Sequence, residues 1–268
     1  MSACRREQVR TPPALAEAMA SVVGLAPPPP SAEMDASPRL QPINGFFESL
    51  PIPGHPDAWL SLPTGASERR PVVVVIHGSG DRPDWQCGGW RHATDAHAFV
   101  VCPRGDYVAA SSTKSDLRYT HPGGAVLLAH IDAALAALVL RYPDYADIRA
   151  PLLAGFSLGA WEVLGLAVQR PSRFPRVALI EGAAAGWTEH GVADFRHGGG
   201  LRVLFGCGEQ RCTIDANAAA RKLSKDGLDA RVVHAAADHT FDMPLENAVR
   251  AELTWLIEGD PRWEGIGP

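Results

Sequence analysis

Val72-Val73-Val74-Val75-Ile76 is an unbroken run of β-branched side chains. β-Branching stiffens χ1 and favours extended backbone. Successive side chains of a strand point to opposite faces, so a run without polar alternation has two apolar faces to bury. A parallel sheet covered by helices on both sides meets that demand. Further runs of this style are Ala98–Cys102, Pro151–Phe156, Arg176–Glu181, Leu201–Gly206 and Ala230–Ala235. Helical segments lie between and after them: Ala125–Arg141, Leu158–Gln169, Ala216–Ser224 with Asp215 as its cap, and Pro244–Glu258 after Asp242, ending at Gly259. Ahead of these, Phe46–Leu50 and Asp57–Leu62 flank Pro51-Ile52-Pro53-Gly54 and read as an antiparallel hairpin. The expected fold is α/β: an eight-stranded, mostly parallel sheet with helices on both faces.

The chain has 268 residues, 46% hydrophobic and 21% charged, which fits a packed globule and excludes a disordered chain. One large domain is expected over residues 43–268. Residues 1–42 read as a flexible tail or stalk, with a short apolar segment (Leu15, Met19, Val22, Val23) before Pro27-Pro28-Pro29-Pro30. A net charge of −5 without a basic patch argues against nucleic acid and anionic membrane as partners. The longest apolar stretch, Ala125–Leu140, is broken by His130 and Asp132 and is shorter than the ~20 residues of a membrane span.

The chemistry-bearing segment is Gly155-Phe156-Ser157-Leu158-Gly159, a G-x-S-x-G placed between an apolar strand and a helix. The pentapeptide alone is a weak signal; the strand and helix around it carry the argument. Its glycines permit a sharp turn that presents the Ser157 hydroxyl, and the helix N-terminus behind it favours negative charge on a bound oxygen. The β-branched run ends in His77-Gly78-Ser79-Gly80, a second loop at the same edge of the sheet.

With the strand order, the serine turn and this His-Gly-x-Gly loop, residues 43–258 resemble the α/β-hydrolase family, esterase- or lipase-like, over about four-fifths of the chain. The resemblance implies a serine hydrolase that cleaves an ester or related acyl bond through an acyl-enzyme, with no metal or organic cofactor. Ser157 is then the nucleophile, and the backbone amides of Ser79 and Leu158 form the oxyanion hole. His77 ties the loop in place. The base is His239, between the last strand and the last helix, whereas His121, His130, His190, His197 and His234 read as surface residues. The acid departs from the usual pattern. Counting from Gly206 after the seventh strand reaches Glu209; a minority of the family takes it from the end of the sixth, here Glu181. A carboxylate ending an apolar strand is costly to bury unless paired, which favours Glu181. Glu209 is the alternative, and Asp215 a third.

Gly182–Gly200 is too short for a multi-helix cap, so an open pocket without a large cap domain is expected, with Trp85, Trp90 and Trp187 either walling it or packing in the core. A small neutral ester or acyl compound is the expected partner. A peptidase or amidase on the same residues, and a non-catalytic binding protein of this fold, are the competing readings; no pattern speaks to oligomeric state.

Cysteines number five, and in this fold four of them pair naturally: Cys207–Cys212 around one loop, and Cys87, in the loop after the third strand, with Cys102 at the end of the fourth. Such bridges imply an oxidising, extracytoplasmic compartment; five reduced thiols in a cytoplasmic enzyme is the alternative. Cys4, the odd one, follows Met1-Ser2-Ala3, which resembles the end of a bacterial lipoprotein signal with Cys4 as the lipid-bearing residue. A full signal carries an apolar segment upstream, so the match is either a trimmed remnant or an accident.

Overall fold

The computed structural model describes Leu40 and residues 46–266. Cys4 and the proline run lie outside the described residues. Leu40 is buried, and its amide donates to the Ala66 carbonyl at 2.6 Å.

Eight strands form one sheet: β1 (Phe47–Leu50), β2 (Ala58–Ser61), β3 (Arg70–Ile76), β4 (Phe99–Pro103), β5 (Ala146–Phe156), β6 (Arg176–Ile180), β7 (Arg202–Cys207) and β8 (Asp229–His234). Their spatial order is β1-β2-β4-β3-β5-β6-β7-β8. β1 with β2 and β2 with β4 pair antiparallel, and every other pairing is parallel. The opening hairpin and the parallel body therefore form as the sequence predicts.

Among the described residues, six α-helices flank the strands: α1 (Pro83–Ala93), α2 (Gly124–Arg141), α3 (Leu158–Gln169), α4 (Glu189–His197), α5 (Gln210–Lys225) and, after the last strand, α6 (Met243–Ile257). The run in β3 divides as its pleat demands. Val72, Val74 and Ile76 face a core shared with α2, α3, α4 and α5, while Val73 and Val75 face one shared with α1 and α6. α2 is long and apolar enough to cross a membrane, yet its Leu127, Ile131, Leu135 and Leu138 are buried against the sheet. Loop 104–118 and its continuation hold a short antiparallel ribbon, Asp106–Tyr107 with Tyr119–Thr120. α4 is the one α-helix between β6 and β7, so no multi-helix cap rises there.

The structure corrects three expectations and decides one left open, the place of the tryptophans. Cys87 lies inside α1, where Pro83 at the first turn starts a helix that the two adjacent glycines obscure in the sequence. α5 starts at Gln210, so Asp215 is an interior residue paired with Arg211 at 2.9 Å and caps nothing. Trp90 and Trp187 are buried in the core, while Trp85 stands exposed on α1 between the Arg82 and Arg118 guanidinium groups. His121 and His130 are buried rather than surface residues. Both disulfides are formed: Cys87–Cys102 joins α1 to β4, and Cys207–Cys212 joins the end of β7 to the first turn of α5.

Candidate active site

Parallel strands deliver their C-terminal ends to one edge of the sheet, and at that edge the predicted residues meet. Ser157 follows β5 directly and precedes α3, with φ 52° and ψ −116°. A left-handed φ is uncommon for a residue with a Cβ and marks backbone held by its surroundings. Its amide donates to the Ile180 carbonyl at 2.9 Å. Gly159 lets α3 cross this close, because a Cβ there would collide with the Ile76 and His77 carbonyls.

From Ser157 Oγ a chain of hydrogen bonds runs inward. His239 Nε2 lies 2.8 Å from it. On the far side of the ring, Nδ1 faces Glu181 Oε2 at 3.2 Å. Glu181 follows β6 with φ 54°, and its side chain is 1% exposed. Its second oxygen, Oε1, accepts from the amides of Gly208 and of Glu209, the latter at 3.1 Å. The buried charge is thereby satisfied on both oxygens. Glu209, half-exposed, holds Oε2 3.9 Å from His239 Nδ1. Asp215 lines the neighbouring cavity but is engaged by Arg211. Glu181, Glu209 and His239 present ligand atoms within 4.8 Å of one another, close enough to hold a metal ion. An ion there would compete with the Nδ1–Glu181 hydrogen bond.

The His77–Gly80 loop lies against the nucleophile: a Cβ on Gly78 would come within 3.2 Å of the Ser157 Cβ. His77 is buried, with Nδ1 2.8 Å from the Gly78 carbonyl and Nε2 2.8 Å from the Arg104 carbonyl. Its neighbour His121 packs against it with the rings tilted by 41° and their centroids 4.2 Å apart. Burial, then the adjacent His77 and His130, holds His121 well below the ordinary histidine range, so that ring is neutral. Ser79 is exposed, and Leu158 is the first residue of α3.

Two groups at this edge were not singled out from the sequence. Buried Asp81 accepts from the amides of Gly78 (3.2 Å) and Arg82 (2.7 Å) and from Gln86 Nε2 (3.1 Å), which fixes the loop beside the nucleophile. Trp161, 48% exposed, borders a cavity of about 180 Å³ with Ala183–Ala185, Arg211 and His239. It lies four residues beyond Ser157 on α3, so helical spacing alone puts it on the same face.

Strand order, the serine turn and the converging loops are those of the α/β-hydrolase fold. Solved structures of that fold superpose on the chain. Serine hydrolase F of Staphylococcus aureus, a fluorophosphonate-binding protein solved with substrate bound, is 14% identical, with a TM-score of 0.54 over 79% of this chain and 98% of its own. Esterase PE8 is 19% identical, with a TM-score of 0.55 over 74% and 97%. An S-formylglutathione hydrolase from Agrobacterium tumefaciens is 15% identical, with a TM-score of 0.52 over 79% and 90%. No protein-family model matches the chain, and no curated protein matches its sequence.

Proposed function

We propose that this chain is a serine hydrolase that cleaves a carboxylic ester or related acyl bond. The single observation that carries the reading is the continuous line Ser157 Oγ–His239–Glu181, with its inner carboxylate buried and held by two amides. His239 takes the Ser157 proton at Nε2 as Oγ attacks the acyl carbon. Glu181 fixes the ring so that Nε2 is the accepting nitrogen, and it stabilises the imidazolium that forms. The amides of Ser79 and Leu158 receive the oxyanion, each donor contributing about 3 kcal/mol to the barrier reduction. The imidazolium then protonates the leaving group, and water activated by the same nitrogen releases the acyl-enzyme. The esterase and serine-hydrolase names of the superposed structures point the same way.

The test is Ser157→Ala against short p-nitrophenyl esters, with a fluorophosphonate probe on the native chain. A loss of about 10⁶-fold in kcat with the fold retained, and labelling at Ser157, are the expected results. Undiminished hydrolysis in the variant refutes the assignment. Peptide turnover without ester turnover redirects it to a peptidase.

We also infer that the enzyme works in an oxidising, extracytoplasmic compartment. Two disulfides support this reading, because such bridges are rare where thiols are kept reduced. Lipid attachment at Cys4 is the further proposal for that compartment. Thiol titration of protein drawn from its own cell tests the first, and mass measurement of the N-terminal peptide tests the second. Five free thiols after denaturation without reductant would refute the compartment.

A further inference from the structure

The Cys207–Cys212 bridge closes a short loop whose interior contains the amides of Gly208 and Glu209. Those are the two donors that hold Glu181 Oε1. Resting on the hydrolase reading, the geometry points to this bridge as a positioning element of the catalytic apparatus: by fixing the turn between β7 and α5, it aims the Glu181 carboxylate at His239.

Three observations carry the assignment. Glu181 has no bulk solvent to fall back on, since its side chain is 1% exposed, so its charge depends on those donors and on His239. The donors belong to neither neighbouring element: Cys207 ends β7, Gln210 starts α5, and Glu209 precedes the helix without a side-chain cap. The covalent tie between Cys207 and Cys212 fixes both ends of that turn. The same turn also carries the histidine loop. The Cys207 carbonyl accepts from the Ala235 amide at 3.0 Å, and His234 Nδ1 lies 3.1 Å from it. A Cβ on Gly208 would come within 2.8 Å of the Asp238 carbonyl, so the acid cradle and the backbone beside His239 are in direct contact. Movement of one turn therefore displaces both partners of the Nδ1–carboxylate hydrogen bond.

Opening the bridge is a two-electron exchange. A dithiol such as dithiothreitol gives up two electrons and two protons, leaving thiols at Cys207 and Cys212 and the reductant as its cyclic disulfide. Cys212 is partly exposed, whereas Cys87 and Cys102 are fully buried, so brief treatment opens the site bridge first.

The experiment compares the paired substitutions C207A/C212A and C87A/C102A with the native full chain, using p-nitrophenyl ester turnover and the rate of fluorophosphonate labelling at Ser157. C207A/C212A is expected to lose about 10- to 100-fold in kcat with KM held within about twofold, since displacement of a reacting group by about 1 Å costs up to about 100-fold. C87A/C102A is expected to lower Tm while keeping kcat within about twofold. Brief dithiothreitol treatment of the native chain, with the opened thiols mapped by alkylation, guards against misfolding of the variants. Activity should fall in step with opening of Cys207–Cys212 and return on reoxidation. Undiminished kcat and labelling in C207A/C212A, or in native protein opened at that bridge alone, would overturn the inference and leave the hydrolase reading intact. Absence of turnover and labelling in the oxidised native chain would overturn the hydrolase reading, and this inference with it.

Discussion

The loops after β6 and β7 each present a carboxylate to His239, and they treat its charge in opposite ways. Glu181 is buried, sits at a left-handed φ and has both oxygens engaged. Glu209 is half-exposed and stands 3.9 Å from the same nitrogen. The difference teaches that the β7 loop serves with its backbone rather than its side chain: Glu209 donates its amide to the carboxylate that stands nearer to His239. A buried carboxylate in fixed hydrogen bonds is preorganised, whereas an exposed one is stabilised largely by water and screened by salt.

Glu181→Gln breaks the comparison most severely. The amide keeps the shape but removes the charge that stabilises the imidazolium, and a loss of about 10²- to 10⁴-fold in kcat is expected. Glu209→Gln leaves the amide donor in place and should stay within about twofold of native turnover. Equal losses in the two variants would refute the division of labour. Combining them sharpens it: if Glu209 substitutes for the missing charge in Glu181→Gln, the double variant falls further than the sum of the two single effects.

A third carboxylate extends the contrast to stability. Glu246 on α6 is 9% exposed. Burial raises its pKa above the ordinary 4.5, and the nearby Asp242 adds to the rise while His92 opposes it. The native state therefore binds this proton more tightly than the unfolded chain, and the stability so gained is full below pH 4.5 and lost as pH rises through the raised pKa. Glu246→Gln should raise Tm by about 2–4 °C at pH 7, with the gain gone near pH 4. An unchanged Tm across that range in calorimetry would refute the account.

Much of the candidate site was legible because it is written in local patterns. An apolar strand, G-x-S-x-G and a following helix define Ser157 within one short segment, and His239 falls between the last strand and the last helix. α1 was not legible: Gly88 and Gly89 dilute its helical signal, and Pro83 and the packing of Trp90 and Cys87 restore it. Nor was the burial of His121, whose ring packs against His77, far away in sequence. Asp81 carries no local signal, because its three donors meet it only in the folded loop.

The sequence by itself determined the α/β architecture, the strand that must be covered on both faces and the positions of the serine turn and the histidine loop. Periodicity, β-branching and turn residues act over a few residues, so one chain read in order contains them. Only the tertiary structure decided between the carboxylates. That choice depends on which of two loops supplies donors to the other and on which charge water can reach, and neither is defined until β6, β7 and the histidine loop meet.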